Sequence, residues 1–205
     1  MENRLSEQLR QAFAEAGDEF TIGDLMAKVD TRSYGLLLTL SPLPTALPFT
    51  PPGFTVPFSV LQIIVAGQML IGKSVPWLPK WILGRRVVSK GKTSKMWGAM
   101  PGFMAKFERM LKPRLGWVYQ GVGPNLLALA VILASLAMAV PFPVTNSVCA
   151  IGIFMIGLGY LEDDGGFGLV GGLISILSFL LVFGLIVAVL FFGFKGIKFQ
   201  GWWEV

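Results

Sequence analysis

The residues of this 205-residue chain that could do chemistry are few. There is no histidine, which removes Ser–His and Cys–His nucleophilic pairs and every imidazole metal site. The one cysteine, Cys149, excludes an intramolecular disulfide and, inside an apolar run, reads as a small packing residue. Glu162, Asp163 and Asp164 form the one acidic cluster beside an apolar segment. Carboxylates at a membrane edge suit ion or proton handling, whereas their place at a segment end before Gly165-Gly166 suits a solvated loop or a helix cap. Gln62 and Gln68 lie inside an apolar helix, where hydrogen bonding between helices is the expected use of an amide. Residues 67–74 satisfy the GxxxxGK(S/T) phosphate-loop pattern. That loop must open a helix straight after its lysine, and Pro76 and Pro79 stand where the helix would need its hydrogen bonds. No nucleotide, cofactor or metal is expected, and the chain reads as a non-enzyme.

What remains is a set of uncharged groups at two proline corners: Thr50, Pro52, Gly53 and Thr55 in one, and Thr145, Asn146 and Ser147 in the other. Prolines that break apolar helices free backbone N–H and C=O groups. In a bilayer such groups are tolerated only inside protein or in a wet cavity, so paired corners are candidate sites for a small solute or an ion.

The elements that would carry these corners are apolar. Hydrophobic residues make up 54% of the chain and charged residues 14%, against roughly 25% charged in soluble globular chains. The stretch Phe167 to Phe192 holds no polar side chain beyond two serines and exceeds the ~20 residues that cross the hydrocarbon core. The fold expected is therefore an all-α integral membrane protein. Residues 1–33 suit amphipathic helices at the cytoplasmic face, Leu5 to Ala16 and Thr21 to Val29, with no apolar signal-peptide core. Residues 34–72 form a first membrane unit of two helices meeting at a non-helical Thr50–Gly53 corner, as a re-entrant pair or two tilted crossings. Residues 73–122 are a basic interfacial segment, 123–164 a second membrane unit broken at Pro141–Ser147, and 165–205 a final transmembrane helix with an interfacial tail marked by Lys195, Lys198, Trp202 and Trp203.

Between positions 73 and 114 stand eleven Lys or Arg (73, 80, 85, 86, 90, 92, 95, 106, 109, 112, 114) against one acid, Glu108. This places the segment in the cytoplasm. Trp77, Trp81 and Trp97 among the cations suit anionic lipid rather than nucleic acid. Ala46-Leu47-Pro48-Phe49 resembles Ala139-Val140-Pro141-Phe142, and a three-residue deletion then aligns Thr55 with Thr145 and Gly67 with Gly157. Two repeat-like halves are expected, with parallel and inverted arrangements both open. Gly168 and Gly172 in GxxxG spacing imply a close helix contact within the subunit or across a homodimer, and a membrane-complex partner is the other candidate assembly.

The segment from Thr21-Ile22-Gly23-Asp24-Leu25 through Arg32-Ser33-Tyr34-Gly35-Leu36-Leu37-Leu38, the proline corner, the run Gln68 to Pro79, Val140-Pro141-Phe142 and Leu161 to Gly165 resemble the exopolysaccharide-synthesis ExoD family over nearly the whole chain. The resemblance implies a small, multi-pass bacterial inner-membrane protein linked to exopolysaccharide production and, in some members, to tolerance of alkaline conditions. It supplies no catalytic residues. One departure is local: the family often has a basic residue before Asp-Gly, where this chain has Glu162-Asp163. Transport at the paired corners is the first functional expectation. A non-transporting scaffold or assembly factor for a polysaccharide or other membrane complex is the alternative.

Overall fold

The computed structural model describes residues 33–46, 53–79, 111–140 and 145–199, with side chains as far as residue 191. Within them lie five α-helices: α1 (Ser33–Leu40), α2 (Val56–Leu70), α3 (Gly123–Met138), α4 (Thr145–Leu161) and α5 (Gly165–Phe199). Short 3-10 turns at Leu43–Thr45 and Gly116–Tyr119 join them, and no β-strand occurs among the described residues. The two amphipathic helices expected before residue 33, positions 80–110 of the basic segment, Thr50, Pro52, Pro141 to Val144, and Trp202 and Trp203 lie outside the described residues.

Prolines set the helix starts and one stop, though not all where expected. The Ser41 N–H completes the last turn of α1 on the Leu37 carbonyl at 2.9 Å, and Pro42 then lacks the donor that would continue it. The first break therefore begins at Ser41-Pro42, before the expected Thr50–Gly53 corner. Pro57 and Pro124 fall in the first turns of α2 and α3, where a missing N–H costs nothing. The second break is shorter than expected: α3 ends at Met138, and Thr145, Asn146 and Ser147 already belong to the first turn of α4.

Both returning helices stop in the same turn. Gly72, at φ +75°, follows α2, with the Lys73 N–H on the Gln68 carbonyl at 3.2 Å and the Gly72 N–H on Met69 at 3.1 Å. Asp163, at φ +53°, follows α4, with the Asp164 N–H on the Gly159 carbonyl at 2.9 Å. Each is a left-handed cap that closes the helix on its own third-last carbonyl.

Close contacts fix the helix directions. A Cβ on Gly35 would meet Leu161, and one on Gly157 would lie 2.5 Å from the Thr39 nitrogen, so α1 and α4 run antiparallel with backbones nearly touching. Gly152 and Gly159 bear on Gly171 and Gly168, making α4 and α5 an antiparallel pair. Thr55 meets Met138 and Gln62 meets Ser135, so α2 runs antiparallel to α3. Val118 lies against both Gly123 and Gly165, where α3 and α5 start, and Leu127 further along lies against Gly168 and Gly172, giving α3 and α5 the same sense. Helices α1 and α2 thus form one hairpin and α3 and α4 another. Both open at the end where α5 begins, and both carry their corners at the opposite end. The α1–α2 and α3–α4 pairs run in the same sense.

The core lies along α4, where Ile153, Ile156, Leu158 and Leu161 are fully buried, and Ile153 and Ile156 share one cluster with Leu38, Val131, Ala134 and Met138. The GxxxG pair is occupied inside the chain, with Gly168 against Gly159 and Tyr119, and Gly172 against Leu127. Among the described residues one helix, α5 over Gly165–Phe191, is long and apolar enough to cross a membrane, and α2, α3 and α4 are shorter apolar helices. The 15, 16 and 17 residues of α2, α3 and α4 reach only about 22 to 26 Å at 1.5 Å per residue.

Candidate solute site at the paired corners

The acidic cluster divides into separate roles. Asp163 is exposed at its left-handed position. Asp164 is fully buried and caps α5: Oδ1 accepts the N–H of Gly166 at 3.0 Å and of Phe167 at 3.3 Å. The same oxygen accepts Arg114 Nε–H at 3.3 Å, and Oδ2 accepts the Lys112 N–H at 3.1 Å. The Asp164 carbonyl takes the Tyr119 hydroxyl at 2.9 Å, and the Gly165 N–H donates to the Arg114 carbonyl at 2.8 Å. Every acceptor of this buried carboxylate is used on backbone or on Arg114, so Asp164 ties residues 112–119 to the α4–α5 turn. A positive-dipole helix start, two further N–H donors and a guanidinium together offset the cost of burying its charge. Burial raises the Tyr119 phenol above its ordinary range, and the nearby Asp164 and Asp163 charges push it the same way.

The phosphate-loop string lies at the end of α2. Gly67 to Leu70 are helical, and Gly72 and Lys73 close the C-cap, where the helix presents carbonyls and a negative dipole end rather than N–H groups. Gln68 does not bond another helix, contrary to expectation. Its Nε2 donates to the Trp77 carbonyl at 2.9 Å and its Oε1 accepts the Trp77 N–H at 2.5 Å, pinning residues 73–79 back on the helix and burying Leu78.

The described corner residues, Gly53, Thr55, Thr145, Asn146 and Ser147, lie at the other end of the bundle. Thr55, Ser59 and Gln62 form one buried stripe on α2, spaced by four and three residues. The Thr55 hydroxyl donates to the Met138 carbonyl at 3.0 Å, joining the start of α2 to the lip of the second corner. Ser135 Oγ stands 3.1 Å from Gln62 Oε1 and 2.7 Å from its own-helix Val131 carbonyl. Gly53 is exposed in the turn before Thr55, at φ +81°. Thr145 lines a groove of ≈ 310 Å³ between α4 and α5 with Val148, Ile174, Leu177, Ser178 and Leu181.

Several polar atoms here are buried without a hydrogen-bond partner: Gln62 Nε2, Asn146 Oδ1, Ser41 Oγ and, beside Gly152, Ser175 Oγ. Gln62 is fully buried and Asn146 is 8% exposed. Such groups each cost roughly 1–3 kcal/mol unless water or a ligand meets them. No Asp, Glu, Lys or Arg occurs in residues 34–72 or 115–161, so whatever meets them is held without a charged side chain. Sequence reasoning included Gln62 and Asn146 but missed Ser41, Ser59, Ser135 and Ser175. The stripe Thr55–Ser59–Gln62 at helical spacing was the available signal.

No solved structure matches the chain. An uncharacterized protein of Synechocystis sp. is 32% identical over 199 residues, covering 94% of this chain and 90% of that protein. Protein ExoD of Rhizobium meliloti is 26% identical over 153 residues, 73% of this chain, and the match spans 63% of that longer relative. The family profile described as exopolysaccharide synthesis, ExoD, matches residues 5–184. The chain belongs to the ExoD family of exopolysaccharide synthesis.

Proposed function

We propose that this chain is a bacterial inner-membrane component of exopolysaccharide synthesis whose paired corners bind and pass a small neutral solute. Membrane embedding is supported by α5: only 17% of its most apolar window is buried, whereas the core helix of a soluble protein would be mostly enclosed. Leu173, Leu177, Leu180, Leu181, Val189 and Phe191 are all exposed on it. The observation that carries the solute reading is the unpartnered, uncharged set of Gln62 Nε2, Asn146 Oδ1 and Ser41 Oγ near the corners. An ion would lose its hydration there without a countercharge, whereas water or a hydroxyl-bearing solute exchanges hydrogen bonds at lower cost.

A scaffold role is the second reading. It is favoured by the hydroxyls of Thr39, Thr45, Ser59 and Ser178, all of which donate to nearby carbonyls of their own segments and so have no proton left for a ligand. On either reading the chain is not an enzyme, and its basic segment docks on anionic lipid.

Light scattering from reconstituted vesicles after a sorbitol step separates the two. The solute reading expects relaxation faster than in protein-free vesicles, slowed at least several-fold by Asn146→Leu or Gln62→Leu in folded protein. Wild-type vesicles that behave like protein-free ones under sorbitol, glycerol and water gradients would leave the scaffold.

A further inference from the structure

The phosphate-loop string at the end of α2 builds something other than a phosphate site. Gly72, at φ +75°, reverses the chain, and Gln68 then grips the Trp77 backbone with both halves of its amide, accepting the N–H at 2.5 Å and donating to the carbonyl at 2.9 Å. Pro76 and Pro79 have no N–H to compete for that grip. Burial alternates along the gripped strap as on an extended segment: Pro76 and Leu78 are buried, and Trp77 between them is held out, 63% exposed. Ile71, beside the reversal, is 77% exposed.

A second indole stands at the same end. Residues 112–119 are tied to the α4–α5 turn by Asp164, and they leave Trp117 exposed, with Val122 exposed just before α3. The two surfaces are neighbours, because α2 runs antiparallel to α3 and so ends beside its start. Lys73, Lys112 and Arg114 are exposed here, against an exposed Asp163 and a half-buried Glu162. Over positions 73–114 as a whole the cations outnumber the acids eleven to one. The apolar run of α5 begins at this level too, where the Gly165 N–H meets the Arg114 carbonyl. Two segments forty residues apart in sequence thus each hold out an indole where α5 turns from polar to apolar surroundings. Indoles with cations beside them suit the boundary of an anionic leaflet, where the ring lies against hydrocarbon and the N–H stays wet.

We propose that residues 71–79 are a membrane-interface anchor and that Gln68 is its positioning residue. The clamp holds Trp77 and Ile71, with Trp117 and Val122 beside them, in the headgroup layer of an anionic leaflet, and Lys73 and Lys112 meet the lipid phosphates. This rests on the membrane embedding and lipid docking proposed above, and assigns that docking to named side chains in a preformed geometry rather than to charge alone.

The test uses the full-length protein in vesicles, in a Cys149→Ser background, which is available because the native cysteine is the only one. A fluorophore is attached through Val75→Cys on the strap or Leu173→Cys on α5, both exposed in the native chain. Its quenching is read with phosphatidylglycerol or phosphatidylcholine, each brominated high on the acyl chains and present at the same mole fraction. The expected result is a strap probe quenched by both lipids and several-fold more by phosphatidylglycerol. Gln68→Met, which keeps the bulk and loses both bonds, and Trp77→Ala, at an exposed position, should each lower that quenching several-fold and leave the α5 probe unchanged. A strap probe quenched no better by phosphatidylglycerol would overturn the anionic headgroup contact, and quenching that survives Gln68→Met would overturn the clamp. A silent strap beside a quenched α5 probe would overturn the anchor, leaving this face to water or a protein and the membrane reading intact. Silence at both positions would overturn the embedding on which the anchor rests.

Discussion

At the basic end buried polarity is met around Asp164 though not at the Tyr34 hydroxyl, and at the corner end more of it is unmet. At the basic end a fully buried carboxylate, Asp164, has donors for both oxygens, and its neighbours on residues 112–119 and 165–168 are held by it in turn. At the corner end there is no charge, yet Gln62, Asn146 and Ser41 keep polar atoms without partners. An expensive group that is completely met is structural, because removing it would strand its donors. A cheaper group left unmet is where, on the proposed solute reading, a ligand would fit. Sequence makes the carboxylates look like the chemistry and the hydroxyls look like filler, and the hydrogen bonds reverse that order.

Substitutions at the two ends should break this contrast if it is wrong. Asp164→Ala should be the most damaging, at about 3–5 kcal/mol, since it removes the α5 cap and leaves Lys112 N–H and Arg114 without their acceptor. Unfolding in mild detergent would show it as loss of a folded fraction, and a variant as stable as wild type would mean that the bonds at Asp164 are incidental. Gly157→Ala comes next, at about 1–3 kcal/mol, because the new methyl would meet the Thr39 nitrogen and the Leu38 carbonyl carbon, backbone atoms that cannot swing aside. The matched control is Gly172→Ala, whose methyl would meet only the flexible end of Leu127 at 3.3 Å. It should fall within about 0.5 kcal/mol of wild type.

Tyr119→Phe should cost about 1 kcal/mol by removing the bond to the Asp164 carbonyl. It should also flatten the alkaline limb of the stability curve. The folded Tyr119 phenol is raised above its usual 10.0, so between that value and its folded value the unfolded chain releases a proton that the native chain keeps. Stability from this group is therefore intact below pH 10 and is lost as pH rises beyond it. Melting temperatures from pH 8 to 11 for the two proteins would converge at the top of the range. Gln62→Leu deletes an unmet donor and leaves Ser135 its Val131 carbonyl. Stability should move by less than about 1 kcal/mol in either direction while vesicle relaxation slows. A large loss of stability would make Gln62 another Asp164.

Much of the architecture was legible. Apolar runs gave the helices, and the prolines marked where they are interrupted, since such signals are local. The length of each break was not legible. Pro42, Pro44, Pro48, Pro51 and Pro52 offer several places to stop a helix, and only packing selects Ser41-Pro42. Partners distant in sequence were also hidden: nothing in Glu162-Asp163-Asp164 says which carboxylate turns inward, because that depends on residues 112–119 arriving beside it. Gln68 misled for a similar reason, its bond to Trp77 being made possible by the sharp reversal at Gly72. Gly168 and Gly172 stood out by spacing, while Gly152 and Gly157, which sit against neighbouring backbones, follow no motif.

The inequality of helix lengths has a consequence for the surrounding lipid. On the flank built from α2, α3 and α4 the apolar band is about 22 to 26 Å tall, several ångströms less than the ~30 Å of an average hydrocarbon core. On the α5 flank the 27-residue apolar run is about 40 Å, several ångströms more. In the membrane placement proposed above, lipid on one side would compress and on the other stretch, or the whole chain would lean until the long helix fits. That placement makes the bilayer thinnest beside the short helices, where a polar headgroup would sink closest to the corners.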